Sequence, residues 1–142
     1  MLFGQDRNQL RKVYFQSWDK FKKKLPLEPM ESLIASLIGQ HPEYHAFFDN
    51  IELNQERDFT PEMGQTNPFL HLGMHISIQE QLGTQRPAEI TSLYQSLCKK
   101  TGDAHEAEHQ MMECLGAMLW AAQSNNQQPD ETTYLECIKK LL

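Results

Sequence analysis

Helical periodicity is the feature of this sequence that most constrains its fold. Through most of the chain, apolar residues recur at spacings of three and four, the pattern of a helix with one buried face. After one proline, for example, the apolar residues are Met30, Leu33, Ile34, Leu37 and Ile38. The alternation that is typical of strands is nearly absent. The sequence therefore predicts an all-α fold, a compact helical bundle.

Proline, glycine and capping residues divide this pattern into about six to seven helices. Pro29, Pro42, Pro68 and Pro87 each fit the start of a helix, because proline is favoured at the first helical position. Three glycines fit helix ends, namely Gly39, Gly83 and Gly102. Two aspartates fit N-caps: Asp103, with Glu106 as a capping-box partner, and Asp130. The predicted helices cover residues of about 6–24, 29–39, 42–48, 68–82, 87–101, 104–122 and 131–142.

The organisation of the chain indicates one domain over residues 1–142. This length is that of one ordinary domain, which can bury a core without disulfides or a structural metal. Residues of about 50–66 are polar and acidic and follow neither the helical nor the strand period. We expect an irregular acidic loop there, either a lid or binding loop or a simple surface excursion.

Charge is distributed unevenly along the chain. Residues 1–24 carry seven of the 13 basic residues but only two of the 19 acidic ones. The basic helix 6–24 could therefore dock an acidic protein partner. More commonly, such a helix is solvated and attracted to the acidic remainder of its own chain. No aromatic platform or nucleic-acid motif accompanies these charges, so nucleic-acid binding is not predicted. No apolar run approaches the length of a membrane span, so no membrane association is expected either.

The cysteines indicate a reducing compartment. The three of them, Cys98, Cys114 and Cys137, are odd in number, lie far apart and form no CxxC pair, and no secretory leader is seen. These features are typical of reduced, half-buried thiols in a cytoplasmic protein.

All six histidines fall into three pairs with a spacing of four, written "HPEYH", "HLGMH" and "HEAEH". Residues four apart share a helix face, so each pair is expected to project both imidazoles in the same direction. The position seven residues after the first histidine of each pair is apolar, being Phe48, Ile78 or Met112. The histidine faces should therefore look inward. Two neutral imidazoles one helical turn apart can bind one transition-metal ion, and two such helices can supply four nitrogens.

The sequence therefore predicts one transition-metal site, or two closely spaced sites, with zinc or iron as the most suitable ion. The candidate ligands are His71, His75, His105 and His109, with His41 and His45 completing or bordering the site. Imidazoles alone would leave a dication uncompensated near positive helix N-termini, so carboxylates are expected nearby. The candidates are Glu62, Glu108 and Glu113, either as direct ligands or as acceptors for imidazole N–H groups.

Three functional classes stay open at this point. Glu108 or Glu113 beside a metal-bound water would permit metal-dependent hydrolytic or redox chemistry. "HEAEH" also matches the HExxH pattern of metallopeptidases, and its inverted form through Glu108, but no histidine follows downstream and no sheet is predicted. The third class is a non-enzymatic interaction module, in which the histidines form a buried hydrogen-bonded network and the basic helix docks an acidic partner.

Four segments carry a resemblance to a known family over essentially the whole chain. "HPEYH", "NPFLHLGMHISIQEQ" and "GDAHEAEHQMMECLG", with the opening "MLFGQDRNQLR", resemble the bacterial family catalogued as domain of unknown function 1841. The resemblance implies a bacterial, cytoplasmic protein and brings no activity with it. A looser similarity links the chain to helical bundles that hold a metal, the DinB-like, hemerythrin-like and ferritin-like proteins. The chain lacks two ExxH motifs and the hemerythrin histidine spacing, so this is analogy at the level of the fold.

Overall fold

The computed structural model of the protein describes residues 7–59 and 67–142. These residues form eight α-helices and one 3₁₀ turn and contain no strand, which confirms the all-α prediction with a higher helix count than six to seven. None of the described helices combines the length and the apolar character needed to cross a membrane. The elements are α1 (Arg7–Lys22), α2 (Pro29–Gly39), the 3₁₀ turn (Pro42–Tyr44), α3 (His45–Phe48), α4 (Ile51–Asn54), α5 (Pro68–Thr84), α6 (Ile90–Thr101), α7 (Ala104–Ser124) and α8 (Glu131–Leu141).

The chain divides into two compact units. Unit 1 ends at Gly73 and unit 2 begins at Met74, so the boundary falls within α5. Each unit has its own buried apolar residues. The prediction of a single domain stays a prediction.

Unit 1 is built around an aromatic core. The buried face of α1 contributes Tyr14, Phe15 and Trp18. Phe15 lies with its ring centroid 5.3 Å from that of Phe48, and Tyr14 lies 5.6 Å from Phe69. Offset and edge-to-face ring pairs at these separations stabilise a core beyond the burial of their area. α1 packs against α2, which contributes the buried aliphatic side chains of Ile34, Leu37 and Ile38.

Several basic side chains in α1 and just after it form ion pairs with acidic residues of unit 1. Arg7 contacts Asp58 at 3.0 Å and Lys20 contacts Glu31 at 2.7 Å, and further ion pairs join Lys22 to Asp49 and Lys23 to Asp19. Arg11 is buried, and its Nη1 donates to the backbone carbonyls of residues 55 and 57. The basic helix is therefore attracted to acidic residues of its own chain. Docking of an acidic partner stays a prediction.

The segment predicted as an irregular loop begins with a short helix instead. Asn50 caps α4, because its side-chain oxygen accepts a hydrogen bond from the Leu53 N–H at 3.1 Å. The prediction missed this helix because a single turn with one capping asparagine is too short to show a period. Residues 55–59 lie outside any helix, and residues 60–66, including Glu62, lie outside the described part of the chain.

Unit 2 packs α6, α7 and α8 around an apolar core. Its fully buried members include Ile90 and Leu97 of α6, Met111 of α7 and Ile138 of α8. The Tyr134 hydroxyl, also buried, donates to Gln81 Oε1 at 2.7 Å. Burial raises the pKa of Tyr134, so this hydroxyl stays a donor across the ordinary pH range.

One predicted capping box and two predicted helix boundaries in this part of the chain need correction. Asp103 does cap α7, accepting from the His105 N–H at 3.1 Å, but the capping box is incomplete. The Asp103 N–H donates to Thr101 Oγ1, while Glu106 accepts from the Gln110 side chain. Gly83 does not end α5, which continues to residue 84, and α6 begins at residue 90 rather than at Pro87. By contrast, Gly102 ends α6 with φ of 75°, as predicted.

The prediction of three reduced thiols is wrong for two of them. Cys114 on α7 and Cys137 on α8 form a disulfide with a Cα–Cα distance of 5.7 Å, and Cys98 is a free, half-buried cysteine. The separation of 23 residues gave no sign of this pairing. It arises because α7 packs on α8 and brings two inward-facing positions to bonding distance.

Candidate metal centre

The first turns of α7 place two histidines of one pair side by side. His105 and His109 lie one turn apart, with ring centroids separated by 4.2 Å and planes at 65°. The helix starts beside them because Asp103 caps its N-terminus. Both side chains are half-buried, and both point in one direction, as the spacing predicts.

His75 of α5 joins this pair to form a histidine trio in unit 2. Its ring centroid lies 5.4 Å from that of His105 and 4.9 Å from that of His109. One ring nitrogen of each of the three lies within 4.8 Å of those of the other two. Two imidazole nitrogens bound to the same tetrahedral zinc would be about 3.3 Å apart. The three nitrogens therefore lie within about 1.5 Å of the separation that a shared tetrahedral zinc requires.

Glu108 fixes the orientation of His75. Its Oε1 lies 2.9 Å from His75 Nδ1, and His75 is fully buried with 0% of its surface exposed. Since a carboxylate only accepts, Nδ1 carries a proton, and Nε2 is the nitrogen that a metal ion could bind. A histidine that donates one ring N–H to a carboxylate while its other nitrogen can coordinate is the usual arrangement of a metal-bound histidine.

Gln79 holds the second oxygen of the same carboxylate. Its Nε2 donates to Glu108 Oε2 at 2.8 Å, and Glu108 is only 5% exposed. Gln79 is not among the site residues predicted from the sequence. The only signal was its position four residues after His75 on one helix, where an amide can reach the same neighbours as the imidazole.

The other two predicted carboxylates are not placed in this centre. Glu113 is exposed on α7, and Glu62 lies outside the described residues. Within the described ranges, the group of side chains close enough to share an ion contains histidines and neither of these glutamates. The ligand set that the described part of unit 2 offers is therefore three neutral imidazoles, with the charge of Glu108 one hydrogen bond away.

The HExxH interpretation gains no support from this geometry. Glu106, which would be its glutamate, is exposed and accepts from Gln110 at 3.2 Å. Glu108, the glutamate of the inverted pattern, already accepts hydrogen bonds at both oxygens. The geometry thus favours a positioning role for Glu108 over that of a water-activating base.

In unit 1 the "HPEYH" pair is not a single helical turn, and its two rings do not share a helix face. His41 precedes the 3₁₀ turn, whereas His45 is the first residue of α3. The ring of His45 lies 4.7 Å from that of Trp18, and its Nε2 bonds to the Ile38 carbonyl at 2.9 Å. The prediction failed here because Pro42 starts a 3₁₀ turn, in which residues four apart diverge.

His41 instead faces His71, the first histidine of α5, within unit 1. The two Nε2 atoms lie 3.2 Å apart, and His41 Nδ1 lies 2.7 Å from the Leu37 carbonyl. His41 is buried, with 1% exposure. The ring of Tyr44 packs against both imidazoles, and burial followed by the charge of Glu43 raises the pKa of its hydroxyl. Unit 1 thus has a histidine pair of its own.

Comparison with protein families shows to which family the chain belongs. The model of the family described as a domain of unknown function (DUF1841) matches residues 6–140. The chain belongs to this family. The match to the DUF1841 family covers nearly the whole chain and confirms the resemblance carried by the histidine segments. Neither the curated proteins nor the solved structures include a match.

Proposed function

We propose that this protein binds a transition-metal ion through the trio of His75, His105 and His109. The observation that carries the proposal is the hydrogen bond between His75 Nδ1 and Glu108, which leaves Nε2 as the ligating nitrogen of a buried imidazole that lies beside two others. Burying a charged carboxylate is costly unless its charge is compensated. A bound cation one hydrogen bond away would supply that compensation.

The ligand set favours zinc over a carboxylate-ligated iron centre. Neutral imidazole suits zinc, copper, nickel and iron, but the two-histidine-one-carboxylate iron sites need a carboxylate as a direct ligand. Both oxygens of Glu108, the buried carboxylate beside the trio, are already hydrogen-bonded. Three histidines with zinc, and a remaining position for another ligand, match the composition of catalytic zinc sites.

Metal-dependent chemistry is part of the proposal. A three-nitrogen set leaves at least one position on a four- to six-coordinate ion for a water, a substrate or a further protein ligand. When bound there, zinc would lower the pKa of a coordinated water to about 7 and supply a nucleophile for hydrolysis. Glu108 would hold His75 in the ligating tautomer, and Gln79 would hold Glu108. The prediction of one site, or of two closely spaced sites, with ligands from all three histidine pairs stays a prediction.

The alternative function is an interaction module whose histidines are purely structural. The bonds of His41 and His45 to helix carbonyls are of the kind that this alternative requires. In that case chelators and metals would leave thermal stability unchanged, while substitution of the histidines would lower it. The location of the protein in a bacterial cytoplasm also stays a prediction. The disulfide counts against a reducing cytoplasm, because disulfides persist mainly in oxidising compartments.

Metal analysis by mass spectrometry tests the proposal. Protein made without a histidine tag would be stripped with a chelator, reconstituted with zinc and desalted. We expect the double variant His105→Ala/His109→Ala to retain one equivalent fewer than the wild type while circular dichroism shows the same helix content. His45→Gln is the matched control, because glutamine can still donate to the Ile38 carbonyl, and it should retain the wild-type amount. Undiminished metal in the double variant would refute the ligand assignment, and no uptake by the wild type would favour the structural alternative.

A further inference from the structure

The histidine pair of unit 1, His41 with His71, shows the same orienting device as the trio. His41 Nδ1 lies 2.7 Å from the Leu37 carbonyl, and a backbone carbonyl can only accept a hydrogen bond. Nδ1 therefore carries the proton, and the Nε2 lone pair points toward His71 Nε2 at 3.2 Å. A carbonyl in this position replaces the carboxylate that orients His75, and backbone carbonyls are common partners of metal-bound histidines.

The separation of the two nitrogens matches that of neighbouring ligands on one ion. With metal–nitrogen distances of about 2.0–2.1 Å, two imidazole nitrogens lie about 3.3 Å apart on a tetrahedral ion and about 2.9 Å apart on an octahedral one. The observed 3.2 Å falls between these values. The ring centroids are 4.9 Å apart, and the ring planes cross at 81°, so both rings fit around a common point without overlap.

Tyr44 fixes the planes of both rings from one side. Its ring stacks on His41 at a centroid distance of 5.4 Å and an angle of 12°, and it meets His71 edge-on at 5.8 Å. The pair therefore has little orientational freedom to lose when a ligand binds, which favours binding.

We propose that His41 and His71 form a second metal-binding site, in unit 1, for a divalent first-row ion that accepts imidazole, such as zinc, nickel or copper. Without metal, His71 Nε2–H donates to His41 Nε2. On binding, the His71 proton moves to Nδ1, both Nε2 lone pairs face the ion, and no net proton is released. Because the described residues of unit 1 supply two nitrogens here and the trio supplies three, we expect weaker binding of zinc by this pair than by the trio. The proposal does not rest on the proposed function of the trio.

The test uses the full-length variant His105→Ala/His109→Ala, so that the trio cannot contribute. Zinc would be titrated into this protein while the imidazole nitrogens are followed by long-range proton–nitrogen NMR. We expect the Nε2 resonances of His41 and His71 to move together to metal-bound positions. Adding His71→Gln should weaken zinc binding at least tenfold, whereas adding His45→Gln should leave it unchanged.

Two results would overturn the proposal. One is unchanged Nε2 resonances of His41 and His71 at saturating zinc, which would leave the pair a plain hydrogen bond. The other is a zinc affinity that does not depend on His71. Because the NMR readout observes the unaltered pair, it does not require the His71 variant to fold. A wild type that binds zinc, together with a double variant that binds none, would support the trio and overturn the second site.

Discussion

Replacing Glu108 by glutamine tests how the trio is oriented. The carboxylate links two neighbours, since it accepts from His75 Nδ1 at 2.9 Å and from Gln79 Nε2 at 2.8 Å. Glutamine has nearly the same shape, and its amide oxygen can still accept from His75. The substitution therefore removes the negative charge while it preserves the outline of the site.

The expected loss of zinc affinity is about 10- to 100-fold, or about 1.4–2.7 kcal/mol, the usual effect of altering a residue that orients a metal-bound histidine. The structure favours the upper part of this range, because Glu108 is 5% exposed and His75 is fully buried, so water screens their interaction poorly. A further cost arises at Gln79. Its amide group now meets another amide and must rotate so that its oxygen faces the new N–H donors.

Zinc affinity would be measured by competition with a chromophoric chelator at a fixed pH. Glu113→Gln is the matched control, because it removes the same charge from an exposed position of the same helix. We expect this control to stay within twofold of the wild type. If Glu108→Gln bound zinc as tightly as Glu113→Gln does, the reasoning that Glu108 prepares His75 for a metal would be refuted.

Three further predictions concern stability. The disulfide between Cys114 and Cys137 joins residues that are 23 positions apart, so reducing it should lower the free energy of unfolding by about 3 kcal/mol. Urea denaturation with and without reductant measures this loss, and an unchanged midpoint with reductant would contradict it. Tyr134→Phe should cost about 1 kcal/mol in the same assay, because Gln81 loses its donor, and a stability equal to wild type would show that the bond is dispensable. The hydrogen bond from Lys22 holds the pKa of Asp49 below its usual value. The ionised Asp49 therefore stabilises the fold at any pH above its pKa in the unfolded chain, about 3.9. This stabilisation is lost as the pH falls through the lower pKa that Asp49 has in the folded protein. Asp49→Asn should therefore cost about 0.5 kcal/mol at pH 7, and this difference should close in acid; a difference that persisted would have another cause.

Much of the helical framework could be predicted from local signals. Pro29 does stand at the first position of α2, and Asp103 and Asp130 do cap α7 and α8. These signals work because each one satisfies or removes a backbone N–H group at the start of a helix, which depends only on nearby residues.

The errors in the fold have tertiary causes or arise from competing local bonds. Gly83 lies within α5 because a glycine inside a helix costs only about 1 kcal/mol, which packing can offset. The disulfide could not be predicted, since it depends on how α7 packs on α8 and not on the spacing of its cysteines. Glu106 does not complete the predicted capping box because Gln110 and Thr101 provide other bonds.

The candidate centre was predicted in part. The spacing of His105 and His109 predicted two imidazoles on one helix face, and their rings do lie 4.2 Å apart. The roles of Glu108 and Gln79 could not be separated from the sequence, because a ligand, a base and a positioning carboxylate have the same residue type. Spacing also failed at His41, where proline replaced a helical turn by a 3₁₀ turn.

The most direct test of zinc binding by the trio is a crystal structure of the zinc-loaded protein, made without a histidine tag and measured on both sides of the zinc absorption edge. We expect an anomalous peak within about 2.1 Å of one ring nitrogen each of His75, His105 and His109, with Glu108 still bonded to His75 Nδ1. Zinc bound only at other residues, or no peak at these three histidines at saturating zinc, would contradict the ligand assignment.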